Sequence, residues 1–303
     1  MKAGYRWGLF MEDKNILGVS KKAFYAVIAV CVLGNVIGSF YDYPINEVLA
    51  NKTEIGKLFA SYGMYLSYCL YPAAGMCLYM GLKKKGKKYE QVAAVLFAVA
   101  YFMAVYYSNN YMSKNIRASL GYVAGQSSPL LSMLAWLIWI LAYSWIPFVM
   151  KRLLDDSDPD RLIAVGAVIL IAGIVSDNVN LWLKQVSSRP RYKYLLTLDN
   201  PRSEYRDWWQ FVPDLAGNDD NFKSWPSGNM TIASMMFSLP MLANCLKKHS
   251  KKLNRICFII ACIYVIIYGY NRIHMTNHFL SDVCFGTLIT YLIHAVIARA
   301  FHV

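Results

Sequence analysis

Eight separate apolar stretches dominate this chain: residues 23–41, 58–81, 90–108, 129–150, 162–183, 227–246, 256–271 and 278–300. A helix needs about 20 mostly apolar residues to cross the hydrocarbon core of a bilayer. Inside a bilayer every backbone polar group must be satisfied internally, so a succession of such stretches folds as a helical bundle. With 57% hydrophobic and 16% charged residues, the chain is too apolar for an ordinary soluble domain. The expectation is an all-α integral membrane protein, a bundle of about eight transmembrane helices. The segment 256–271 is the shortest, and 162–183 carries Asp177, Asn178 and Asn180 near its end.

Lys and Arg placement sets the orientation. With the N-terminus inside, the inner segments collect Lys2, Arg6, Lys14, Lys21 and Lys22, then Lys83 to Lys88, then Lys151, Arg152 and Arg161, then Lys247 to Arg255, and Arg299. That is most of the 31 basic residues. Those left outside lie mainly in one loop, 184–225. Both termini are therefore expected on the cytoplasmic side. The net charge of +13 is an orientation signal, and no basic soluble domain exists to bind nucleic acid. The first apolar stretch follows a charged lead and runs into further spans, as an uncleaved anchor does. The seven cysteines lie in or beside apolar stretches without a CxxC spacing, which suits buried small hydrophobes.

The loop around Pro159, with its aspartates, divides the chain. Residues 1–157 hold four spans with little evident chemistry, and residues 158–303 hold every motif. The loop 184–225 is dense in aromatics, from Tyr192 to Trp225. These suit either an interfacial belt or a small cap packing its own rings.

Three polar clusters carry chemistry. Lys184, Arg189 and Arg191 follow the fifth span; they suit a phosphate cradle or an anchor to lipid headgroups. Pro226-Ser227-Gly228-Asn229 opens the sixth, where free N–H groups meet the positive end of a helix dipole. Arg272, His278 and Asp282 form R-x5-H-x3-D. On a helix His278 and Asp282 share a face, and a carboxylate beside an imidazole orients it as a nucleophile. A metal site on His274, His278 and Asp282 is the rival, opposed by Arg272 beside it and by the lack of a further ligand. By the topology above, all three clusters fall at outer helix ends and converge at one membrane face. Asp177, two turns deeper than Lys184 on nearly the same face, is an intramembrane carboxylate and so a candidate functional group.

The pattern resembles the type 2 phosphatidic acid phosphatase (PAP2) superfamily, with its K-x6-R-P, P-S-G-H and S-R-x5-H-x3-D motifs. The resemblance covers roughly 160–300. Tyr192 stands for the Pro of the first motif, Asn229 for the His of the second and Asn271 for the Ser of the third. The resemblance implies a PAP2-like C-terminal core and a phosphatase that needs no metal or other cofactor. Lys184, Arg191 and Arg272 would grip the phosphate, with Ser227 and Gly228 adding donors. His278 would form a phosphohistidine, and Asp282 would hold its tautomer. The substrate would be a membrane lipid phosphate such as phosphatidic acid, phosphatidylglycerol phosphate or a polyprenyl diphosphate, undecaprenyl diphosphate among them. Members commonly have six spans, so eight would be an extension.

Asn229 has no proton to give a leaving oxygen, a function typically worth about 10²–10⁴-fold. A diphosphate substrate, another acid such as His274, binding or transport without turnover, or an introduced His-to-Asn change would each account for it. A phosphotransferase, with another acceptor replacing water, shares the same intermediate. The sequence does not fix the oligomeric state.

Overall fold

The computed structural model describes residues 15–119, 129–213 and 219–303; Lys2, Arg6 and Lys14 lie outside them. A two-residue hairpin, Asn15–Ile16 with Val19–Ser20, precedes the helices. These are α1 (Lys21–Leu49), α2 (Glu54–Tyr62), α3 (Tyr65–Tyr68), α4 (Leu70–Lys85), α5 (Glu90–Ser119), α6 (Pro129–Tyr143), α7 (Trp145–Leu153), α8 (Pro159–Ser187), α9 (Tyr192–Leu195), α10 (Gly228–Ser234), α11 (Leu239–Ala243), α12 (Lys251–His274) and α13 (Leu280–Ala300). The protein is an all-helical membrane bundle.

Among the described residues, six helical segments are long and apolar enough to cross a membrane: Lys21–Leu49, Lys87–Ser113, Ser132–Leu153, Pro159–Leu195, Lys251–His274 and Leu280–Ala300. The other two apolar stretches are helical but interrupted. The stretch 58–81 is divided among α2, α3 and α4, and 227–246 among α10, a 3-10 turn at Met235–Ser238 and α11. Large apolar side chains stand on the outer flanks, with Phe40 75% and Val296 69% exposed. These are the surfaces that lipid covers.

The first helix runs further than its apolar stretch. Asp42 and Pro44 look like a break in sequence, since proline removes a helical donor. The helix nevertheless continues to Leu49, and Asp42 is fully buried inside it. α1 packs along α13 through Gly34 and Gly38. A Cβ on Gly34 would lie 2.3 Å from the Cys284 Sγ, and one on Gly38 would lie 2.8 Å from the Ser281 nitrogen. Small residues four apart let two helix backbones approach this closely. The seven cysteines are all free thiols.

The bundle has two unlike ends. At one, Lys83, Lys84 and Lys85 pair with Glu90, Asp156 and Asp160 at 2.8, 2.8 and 2.7 Å. The loop before α12 joins them, the Lys247 amide donating to the Leu153 carbonyl at 2.9 Å. Such exposed pairs contribute little stability. At the other end lie the C-termini of α8 and α12, the N-termini of α10 and α13, and the loop 188–227.

Candidate active site

α8 closes at Ser188, whose left-handed backbone (φ 45) turns the chain sharply. The turn places Lys184 inside the bundle and sends Arg189 and Arg191 to different partners. The buried Lys184 ammonium donates to the carbonyls of Lys223 at 2.8 Å and Pro226 at 2.5 Å. α10 starts at Gly228, capped by Ser227, whose hydroxyl accepts the Met230 amide at 3.4 Å. A Cβ on Gly228 would sit 3.1 Å from the Asn180 side-chain oxygen and 3.4 Å from the Lys184 Cε, so glycine lets α10 close on α8.

α12 ends at His274, and α13 begins at Leu280 behind the N-cap Phe279. His278 therefore precedes its helix. It meets Asp282 by the geometry of a helix start, not as two residues stacked on one helical face. The Asp282 carboxylate accepts the Phe279 amide at 2.8 Å and the Ser224 hydroxyl at 2.5 Å. It stands 3.7 Å from His278 Nδ1. Nδ1 itself lies 2.8 Å from the Ser224 carbonyl. A carbonyl only accepts, so the proton is on Nδ1 and the lone pair on Nε2. Arg191 Nη1 donates to that lone pair at 3.3 Å. The backbone carbonyl of Ser224 thus sets the tautomer, with Asp282 as the neighbouring charge.

A cavity of about 130 Å³ joins these parts. Lys184, Arg191, Gly228, Asn229 and His278 line it, together with Asp177, Asn180, Asp220 and Lys223. Met64, Tyr68, Leu181 and Ile232 form its apolar wall. Ser227 and Arg272 do not line it. Arg272 is buried with its guanidinium over the Tyr268 ring, and its Nε has no hydrogen-bond partner among the described residues. Its carbonyl accepts the Asn277 and His278 amides at 3.1 and 3.3 Å and so shapes the turn carrying His278.

Burial pushes the His278 imidazole down to about 3; Arg191 and Lys184 add to the shift and Asp282 opposes it. His278 is therefore neutral at ordinary pH. Arg191 is shared with Asp220, to whose carboxylate it donates at 2.9 Å and to whose carbonyl at 2.8 Å. Burial alone would raise the Asp220 carboxyl, but Arg191, Lys193, Lys184 and His278 hold it below the ordinary value.

Several sequence-based expectations change here. Arg189, grouped with the phosphate cations, faces away from the cavity. It donates to Asp282 at 2.6 Å, Asp42 at 3.0 Å, Ser281 at 2.9 Å, Tyr205 at 3.2 Å and the Arg206 carbonyl at 2.8 Å, entirely buried. Ser281 bonds Asp42 through its amide at 3.0 Å and through its hydroxyl. The four spans thought to carry little chemistry thus supply Asp42 to this network and Met64 and Tyr68 to the cavity. His274 is also displaced: its Nδ1 lies 3.0 Å from the Leu49 carbonyl, its Nε2 lies 3.2 Å from the Thr53 hydroxyl, and it does not line the cavity. It shares no helix with His278 and Asp282, so the helical metal face is not formed. The loop 184–225 packs as a cap. Trp208 stacks on Trp225 at 6.0 Å, and Tyr192 and Tyr205 flank Phe279 at 5.9 and 5.5 Å.

Fold and site together define an all-helical membrane protein with a neutral imidazole facing buried cations. Residues 161–303 match the model of the PAP2 superfamily. No curated protein and no solved structure matches the chain.

Proposed function

We propose that this chain is a membrane phosphatase that removes phosphate from a lipid phosphate or diphosphate through a phosphohistidine on His278. The observation that carries this reading is the cavity where Nε2 of His278 meets Arg191 and Lys184. A phosphate entering it would accept from both cations, taking over the bond that Arg191 now gives Nε2. The freed lone pair would attack phosphorus, and the cations would neutralise the charge gathering on the oxygens. Arg272, with its Nε unpartnered, would turn to join them. As the imidazole becomes cationic, Asp282 would stabilise it and the Ser224 carbonyl would hold its Nδ1–H. Ser227 and Gly228 would serve the wall, one as cap and the other by its small size.

The Lys and Arg distribution supports a cavity on the extracytoplasmic side with both termini cytoplasmic. The apolar wall suits the lipid portion of a substrate. The test is release of inorganic phosphate in detergent micelles with chelator present, from dioctanoyl phosphatidic acid, phosphatidylglycerol phosphate and a polyprenyl diphosphate. His278→Ala should abolish release and also the acid-labile label trapped by a ³²P-labelled substrate. No release from any of these lipids would end the phosphatase reading. Asn229 favours a second reading, a lipid-phosphate binder or transporter without turnover. That reading expects Arg191-dependent binding and no label.

A further inference from the structure

Asn229 lines the cavity but carries no proton to give to a leaving oxygen. Of the titratable side chains lining the cavity, Lys184 is bonded to the Lys223 and Pro226 carbonyls, and the amine of Lys223 and the phenols of Tyr68 and Tyr111 are ordinarily far weaker acids than a carboxyl. His274 is bonded to Leu49 and Thr53, away from the cavity. Asp220 is engaged by Arg191 at 2.9 Å and Lys193 at 3.6 Å. Asp177 differs from both. It lines the same cavity as Asn229, Lys184 and His278, and no ion pair or hydrogen bond engages its carboxyl among the described residues.

Its position along α8 fits the task. Lys184, Leu181 and Asp177 lie on successive turns of one face, so Asp177 is about 10 Å deeper than Lys184 along the helix axis. The Lys184 ammonium, held by the Lys223 and Pro226 carbonyls, lines the same cavity as Asp177. Ile232, one turn inward from Asn229 on α10, lines the same wall, as do Met64 and Tyr68. A phosphate held between His278, Arg191 and Lys184 would direct its ester oxygen inward, because its lipid portion belongs with those apolar residues. Asp177 stands on that side.

Resting on the phosphatase reading, we propose that Asp177 is the general acid of this chain, doing the work that Asn229 cannot. In the first step the Nε2–P bond forms, the P–O bond to the lipid breaks, and the Asp177 carboxyl proton passes to the departing oxygen, directly or through one water. In the second step water attacks phosphorus and the Nε2–P bond breaks. The Asp177 carboxylate takes the proton from that water, phosphate leaves, and the carboxyl is restored. No other reactant is needed.

A general acid matters most for poor leaving groups. The experiment compares the purified full chain with Asp177→Asn on two esters, an alkyl monophosphate (dioctanoyl phosphatidic acid) and 4-nitrophenyl phosphate, reading kcat for each. The expected result is a loss of at least about 100-fold on the alkyl ester and of about 10-fold or less on the aryl ester. Misfolded protein lowers both rates alike, so the ratio of the two losses is the readout. Equal losses, or no loss on the alkyl ester, would overturn the assignment while leaving the phosphatase standing. No phosphate release by the parent chain from either ester would overturn this assignment alone if a polyprenyl diphosphate is still hydrolysed, and would overturn the phosphatase reading with it if no lipid phosphate or diphosphate is.

Discussion

The buried Asp42–Arg189–Asp282 arrangement makes a demanding prediction. All three charged groups are fully buried, with ion-pair distances of 3.0 and 2.6 Å. Replacing Arg189 by Met removes the one cation between two carboxylates. Breaking a single buried pair costs about 3–5 kcal/mol, because the remaining charge is left uncompensated. Here two are left, so Arg189→Met should cost at least that much. In a chain of this size that corresponds to a fall in Tm on the order of 10 °C. Asp42→Asn should be milder, since Arg189 keeps Asp282 and the pair stays neutral. Its cost is about 1.5–3 kcal/mol for one charged hydrogen bond. In the Asp42→Asn background the Arg189→Met change strands one carboxylate instead of two, so the double variant should be less damaged than the sum of the singles. The coupling should exceed about 1 kcal/mol. Thermal unfolding followed by tryptophan fluorescence in micelles measures all four proteins. A Tm for Arg189→Met within about 2 °C of the parent, or strict additivity of the two changes, would refute the reasoning.

Other outcomes follow from the site. His278, pushed down to about 3 by burial, should keep kcat/KM free of any imidazole acid limb between pH 7 and 5; a break near the ordinary histidine value in the pH profile of the free enzyme would contradict this. Because its folded value lies below its unfolded one, the unfolded chain binds the proton first, and stability is lost as pH falls below about 6.5. The difference at pH 5 is about 2 kcal/mol, read as a smaller fall in Tm from pH 7 to pH 5 in His278→Gln than in the parent. Asp220→Asn should release Arg191 for substrate and lower KM several-fold on lipid phosphates, measured by initial rates; an unchanged or raised KM would count against competition between Asp220 and phosphate. With Asp177 supplying the proton, Asn229→His should change the parent's rate on an alkyl monophosphate by less than about 10-fold but restore the rate of Asp177→Asn by about 10-fold or more, in the same phosphate-release assay.

Much of this was legible in the amino-acid sequence because hydropathy and spacing record it directly. The apolar stretches place the helices, and the Lys184, Arg191, Asn229 and His278 spacings place one end of each helix that meets the cavity. What stayed hidden depends on backbone direction. Arg189 and Arg191 are two residues apart, yet the left-handed turn at Ser188 sends them to opposite sides. Nothing in a run of cations says which of them will face a carboxylate. Asp42 was hidden by Pro44, which reads as a helix end but sits inside α1; an acidic residue this close to an apolar stretch was the available signal. Ser224 acts through its backbone carbonyl as well as its side chain, and a carbonyl has no sequence signature. Interrupted helices such as α10 and α11 look continuous in hydropathy, because the break lies in hydrogen bonding and not in polarity.

The close approach of α1 to α13 has a consequence for biosynthesis. Of these helices, α1 leaves the ribosome first and α13 last, and the carboxylate anchoring Arg189 belongs to the first while the carboxylate beside His278 belongs to the last. Until α13 is released and docks on Gly34 and Gly38, Arg189 can meet Asp42 but not Asp282, and His278 is still untranslated or unsupported. The early helices wait in the bilayer as a template that the final one completes. No nascent chain is competent before α13 has emerged, and a fragment carrying residues 161–303 alone would have to do without the charge that α1 contributes.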